Sequence, residues 1–286
     1  MKKSLLVTLA LSLVLVAAGC SKNTESTTEE VATEVEDATE AVEEDAAEAE
    51  DTAEVDAAEA ETEADTENAT AEGVMSYADY VAADVDTEVC VETYVQAKQA
   101  WWEDNGVGQA TFYTQNQDGA FFVYNLPCSQ EDYDKLVPGT KIKVTGFKSE
   151  WSGEVEITDA TYEIEDTDTF VADAKDVTDL LGKDELIDYQ NQFVSFKGMT
   201  VEAANDAGDA FLYKWDGSGT EGDDLYFNVS LDGNTYTFTV ESYLCDKDSD
   251  VYKAVQNLKV GDVVDMEGFL YWYEGVNPHI TSVSVQ

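Results

Sequence analysis

Arginine is absent from this 286-residue chain: all 15 basic side chains are lysine. There is one histidine, His279, and there are four cysteines. Each scarcity removes a class of chemistry. A single histidine cannot furnish a His-rich zinc site, and it allows at most one His-centred triad. No serine or cysteine motif supplies His279 with a nucleophile, so it reads as a structural or surface residue. Positive charge is scarce too, with 62 acidic side chains and a net charge of -47. A phosphate backbone wants clustered cations and guanine is most often read by arginine, so nucleic acid is not expected as a partner.

Aromatic residues are missing from one long stretch. Residues 21–73 hold 21 acids, Lys22 as the one base, and no aromatic ring. Such a segment cannot bury enough apolar area to offset its conformational entropy. Alanine–glutamate repeats such as 46–50 and 56–61 favour helix, but acid-on-acid repulsion opposes it. The expectation is a self-repelling tether. All 31 aromatic residues fall in 74–286, which is long enough for one large domain or two small ones.

The N-terminus carries a different pattern. Met1-Lys2-Lys3 precedes an apolar run from Leu5 to Ala18, too short to span a bilayer comfortably but suited to a signal-peptide core. The run closes on Val16-Ala17-Ala18-Gly19-Cys20. Small residues directly before a cysteine resemble the lipobox of bacterial lipoproteins, although Ala17 stands where leucine is the commoner choice. The resemblance implies acylation of Cys20 (diacylglycerol plus an amide-linked chain such as palmitate) and attachment to the extracytoplasmic face of a membrane.

Downstream, the chain repeats itself. Residues 136–147, LVPGTKIKVTGF, align with 258–269, LKVGDVVDMEGF. Gly139, Gly146 and Gly153 match Gly261, Gly268 and Gly275, each offset by 122, and Cys128 and Cys245 each close a strand-like run before a short helix. In copy one, strands are expected over Val89–Gln96, Gln109–Gln115, Ala120–Asn125, Lys141–Phe147 and Glu154–Tyr162, with a helix begun by Ser129 and Asp132. Copy two repeats them over Phe193–Ala203, Leu225–Leu231, Thr235–Leu244, Val263–Tyr271 and His279–Val285, with a helix near Val251–Leu258. Further helices are expected near Tyr77–Ala83 and Val177–Leu181. Three strands, a helix and two strands is the order of the OB-fold, a five-stranded Greek-key barrel. The Leu-x-x-Gly-x-x-[Ile/Val]-x-x-x-Gly-Phe pattern also resembles bacterial exported OB domains. The fold class is therefore mainly β, with two tandem OB-like barrels. The division is signal peptide 1–19, lipid-anchored linker 20–73, first barrel 74–165 and second barrel 166–286.

The five tryptophans fall where an OB-fold borders its ligand. Trp101, Trp102 and Trp215 lie between strands one and two of their copies, and Trp151 and Trp272 lie at the turn between strands four and five. Indoles beside acids and glycine suit stacking on sugar rings, or a cationic or peptide ligand. The competing reading makes them plugs for the barrel ends. Asp246-Lys-Asp-Ser-Asp250 opens like a calcium loop, but Val251 and Asn257 stand where an EF-hand needs glycine and glutamate. Acids at a helix N-terminus explain it better. No metal and no cofactor are expected, and Cys90, Cys128 and Cys245 receive no assigned bridge. The expected function is a membrane-anchored, non-enzymatic binding module for a glycan, peptidoglycan fragment or protein. The alternatives are an envelope scaffold without a small ligand and a carboxylate-based hydrolase, the latter requiring a pocket with two buried, raised-pKa acids.

Overall fold

The computed structural model describes residues 73–286. The expected signal peptide, Cys20 and the expected acidic linker up to residue 72 lie outside the described residues. Helix α1 (Tyr77–Ala82) comes first, capped by the Ser76 hydroxyl, which accepts from Asp79 N. Its last carbonyls are gathered by Lys148, whose Nζ donates to Tyr80 O, Val81 O and Ala83 O at 2.7–3.0 Å. A cation on terminal carbonyls satisfies groups that the helix itself leaves open.

Barrel one is built from β1 (Glu88–Lys98), β2 (Trp102–Asp104), β3 (Val107–Gln115), β4 (Ala120–Pro127), β5 (Thr140–Trp151) and β6 (Glu154–Thr169). The short helix α2 (Gln130–Lys135) sits between β4 and β5, begun by Ser129, whose Oγ accepts from Asp132 N. The strands run β1-β5-β6-β4-β3, and β3 pairs back to β1 to close the ring. Only β4 and β6 pair in parallel. That order, with one parallel pair, is the OB-fold. Closure leaves no principal strand with an open edge.

Barrel two repeats the plan with β8 (Phe193–Glu202), β10 (Leu225–Leu231), β11 (Asn234–Val240), β12 (Val263–Phe269) and β13 (His279–Val285). The short strands β7 (Lys175–Asp176) and β9 (Leu212–Tyr213) add to its rim, and α3 (Asp250–Gln256) fills the helix position. The ring closes through β8–β10 pairing, and β11 with β13 is the parallel pair. The chain is thus mainly β with tandem OB-like barrels and short helices, as the repeat implied. The helix expected near Val177–Leu181 is instead a 3-10 turn, Thr178–Leu180, followed by a second over Asp184–Tyr189.

The repeat glycines have a physical cause. Gly146 and Gly268 sit where the fourth strand crosses the fifth at a register shift. A Cβ on Gly268 would lie 2.2 Å from His279 O, and one on Gly146 would lie 2.7 Å from Thr158 O. Only glycine admits that backbone approach.

Each barrel has its own core. Val91, Phe112, Phe121, Leu136, Ile142 and Ile157 fill the first, and Phe196, Val201, Phe227, Phe238, Tyr252 and Met266 fill the second. A third cluster joins them: Tyr113 and Phe122, pointing outward from β3 and β4, pack on Phe269, with Phe193 and Tyr271 alongside. One expected boundary shifts. The first barrel does not end at residue 165, because β6 runs to Thr169 and Ala172 N still donates to Gln96 Oε1. A shared aromatic seam joins the two barrels.

Candidate functional site: a groove on barrel two

A groove of about 390 Å³ opens on barrel two. Its floor is the outward side of β10 and β11: Tyr226, Asn228 and Thr237. Strand alternation puts them there, because Leu225, Phe227 and Phe238 turn into the core. One wall comes from the β8–β10 connection, with Ala204, Leu212 and Trp215, and the other from the β12–β13 connection, with Tyr273, Val276 and Asn277. In an OB-fold, strands two and three with these two loops make the ligand face.

The groove is uncharged. None of its nine lining residues is acidic or basic, in a chain whose net charge is -47. Its polar groups are hydroxyls and carboxamides with fixed orientations. Thr237 Oγ1 donates to Asn228 Oδ1 at 2.8 Å, Asn228 Nδ2 donates to Ala203 O at 3.1 Å, and Thr239 Oγ1 donates to Asn277 Oδ1 at 2.8 Å. Each carboxamide nitrogen carries two hydrogens, so Asn228 retains one for a ligand. Burial, with Asp224 and Glu241 nearby, raises the Tyr226 phenol above its ordinary range and keeps it neutral.

Trp215 stands at the rim, 76% exposed. A tight turn presents it: Gly217 N donates to Lys214 O, and Asp216 Oδ1 accepts from Ser218 N. The other tryptophans divide. Trp151 is 54% exposed and its ring lies 5.0 Å from that of Tyr273, so it adjoins the groove although it belongs to barrel one. Trp272 is half-buried against the barrel-two core. Trp101 is half-buried over Gly108, with Nε1 donating to Cys128 O at 3.1 Å. Trp102 is exposed on β2 and does not line the groove. The expected set of five is therefore not one surface: Trp215 and Trp151 meet the groove, Trp101 and Trp272 pack, and Trp102 stands alone. Tyr226, Asn228, Thr237, Tyr273 and Asn277 were missed. Alternation along β10 would have found the first two.

The seam gathers titratable groups of its own. Glu154 is fully buried. Its Oε2 accepts from Trp272 N at 2.9 Å and Gln190 Nε2 at 3.3 Å, while Oε1 has no partner. Burial pushes its pKa up to about 8, partly opposed by those donors. Burial likewise pushes Glu156 and Glu241 up to about 7. His279 is buried with its ring 4.2 Å from Tyr271, and its Nδ1 lies 2.6 Å from Tyr113 Oη. Burial lowers its pKa to about 3, so it is a neutral structural residue. Glu154 and Glu156 are the paired, raised acids that a hydrolase would need, but neither lines this groove. Nor do they line the second groove, of about 370 Å³, beside α1.

Asp246 Oδ1 accepts from Asp248 N, and Ser249 caps α3, so this acidic run builds the helix start. Among the described residues, no group of three or more His, Cys, Asp or Glu side chains is placed to hold a metal. Cys90, Cys128 and Cys245 are free thiols. Among the described residues, no helix is long and apolar enough to cross a membrane.

No protein-family model and no curated protein matches the chain. Among solved structures it is similar to the tetrameric p202 HIN2, at 12% identity over 71% of this chain and 96% of that one, TM-score 0.30. It is similar also to a murine DNA-binding protein bound with double-stranded DNA, at 11% identity over 69% and 94%, TM-score 0.32. A third is the Ifi202 HINa domain in complex with 20-bp double-stranded DNA, at 13% identity over 71% and 96%, TM-score 0.30. The OB assignment rests on the strand order of this chain. The expectation that nucleic acid is no partner is corrected: two of these similar structures hold duplex DNA, and the exclusion drawn from charge is withdrawn.

Proposed function

We propose that the protein is a lipid-anchored, extracytoplasmic, non-enzymatic binding module that takes a neutral glycan chain in the groove of barrel two. The observation that carries this reading is the groove's chemistry. Three aromatic rings, two carboxamides and a threonine hydroxyl line it without a charge, on a chain that is otherwise strongly acidic. Aromatic rings offer flat apolar faces to pyranose C–H groups, and amides exchange hydrogen bonds with hydroxyls at little desolvation cost compared with carboxylates. The lipobox at Cys20 and the acidic linker support a place on the membrane surface, with the barrels held clear of it.

Two measurements test the reading. On a glycan array, the full-length chain is expected to bind neutral glycans, and Trp215→Ala is expected to lose that binding while melting as the native chain does. Binding of 20-bp duplex DNA through Trp215 without glycan binding would replace the ligand class, and no Trp215-dependent ligand at all would leave an envelope scaffold. Cys20→Ser is expected to release the protein from membranes or stall it as a precursor. Unchanged fractionation and processing would refute the anchor.

A further inference from the structure

The groove does not end at barrel two. Tyr273, one of its walls, lies with its ring centroid 5.0 Å from that of Trp151, tilted by 40°. Trp151 ends β5 of barrel one, so a residue of the first copy adjoins the ligand face of the second. The hairpin tip that carries it is pinned across the seam. Glu274 N donates to Ser152 O at 2.7 Å, and Gln190 Nε2 donates to Gly153 O at 2.8 Å. Gly153 leaves room for the next ring: a Cβ there would stand 2.9 Å from Trp272 Cδ1. Trp151 is thus held in place by backbone contacts while remaining 54% exposed. An indole left in water on a fixed support, beside a ring that lines a groove, is placed to stack on a ligand rather than to fill a core.

We propose that Trp151 is a second stacking subsite of the same groove, so that the ligand is a neutral oligosaccharide of several units that crosses from barrel two onto barrel one. This rests on the glycan reading of the groove and extends it. One unit lies over Trp215 and Tyr226, and a later unit leaves the groove past Tyr273 and covers the Trp151 indole. Glu150 and Glu274, exposed next to Trp151 and Tyr273 in the chain, accept hydroxyl hydrogens from that later unit. The docked seam is therefore part of the binding site, because it alone holds Trp151 beside Tyr273.

Calorimetric titration of the full-length chain with β-1,4-linked oligomers of N-acetylglucosamine and of glucose, from one to six units, separates the two claims. The native chain is expected to bind more tightly as units are added. Trp215→Ala is expected to weaken every length by about tenfold or more, the loss of a single well-packed aromatic anchor. Trp151→Ala is expected to bind the shortest oligomers as the native chain does and to lose the gain with length. Trp102→Ala, an exposed indole outside the groove, is expected to leave all lengths unchanged. If Trp151→Ala keeps the native length dependence while Trp215→Ala still fails, the second subsite is wrong and the groove reading stands. If neither oligomer series binds, or Trp215→Ala binds as well as native, the groove reading falls and the subsite with it.

Discussion

The two barrels share one fold and use the same face in opposite ways. On barrel one the outward cross-strand pair of the second and third strands is Tyr113 and Phe122, buried beneath Phe269 and Tyr271 of barrel two. On barrel two the corresponding outward pair is Asn228 and Thr237, which floors the open groove. Two aromatic rings make the face adhesive, while an amide and a hydroxyl make it wettable. Two copies of one fold have thus buried this face in one copy and left it open in the other. The buried face also fixes the position of the open one, since the docked seam carries Trp151 to Tyr273.

Removing the docking face should have the largest effect. Tyr113→Ala empties a fully buried aromatic position and is expected to cost about 3–5 kcal/mol in chemical denaturation. Because the seam joins the two cores, this variant is also expected to unfold in two transitions where the native chain unfolds in one. A loss below 1 kcal/mol would mean that the seam contributes little.

The seam acids predict a pH dependence in which stability falls as pH rises. Glu154 binds its proton more tightly in the folded state, with a pKa of about 8 against an ordinary 4.5. The stability from this difference is fully present below pH 4.5. It declines as pH rises and is lost once pH passes about 8. The total is on the order of a few kcal/mol, and Glu156 and Glu241 act in the same direction at about 7. Glu154→Gln keeps the acceptor to Trp272 N without the charge, so it should flatten the decline in stability between pH 5 and 9. An unchanged slope in melts across that range would show that Glu154 is not the group titrating.

The open face should respond least in stability. Trp215→Ala and Trp102→Ala are expected to stay within about 0.5 kcal/mol of native, as surface substitutions usually do. Trp272→Ala, half-buried against the second core, should fall between these and Tyr113→Ala. A large melting loss for Trp215→Ala would make that ring structural and remove the groove's rim from the binding argument.

Much of this architecture was legible in the residues. Alternation around Val89 and Val91, the hairpin turns at Asn116–Gly119 and Asp232-Gly233, and the paired glycines located nearly every principal strand. The seam was less legible. Ala120-Phe-Phe-Val-Tyr124 is apolar on both faces of its strand, whereas Leu225-Tyr-Phe-Asn-Val-Ser-Leu231 alternates. A strand apolar on both faces is one buried on both faces, but that contrast does not say what covers the outward side. The rim strands β2, β7 and β9 left no signal, because two or three residues carry no readable period. Tyr273 was passed over beside Trp272, although it is the ring that lines the groove.

By itself the sequence determined that two β-barrels of one kind follow an acidic, aromatic-free stretch, because burial alternation, turn residues and close-packed glycines are local demands that the chain must meet in order. Which tryptophans face water, which barrel face is buried in docking, and that Trp151 of one barrel stands beside the groove of the other were decided only by tertiary structure. These depend on how two closed surfaces meet. The meeting is settled by shape and by desolvation of residues such as Tyr113, Phe122 and Glu154, from segments far apart in sequence, and no local pattern records it.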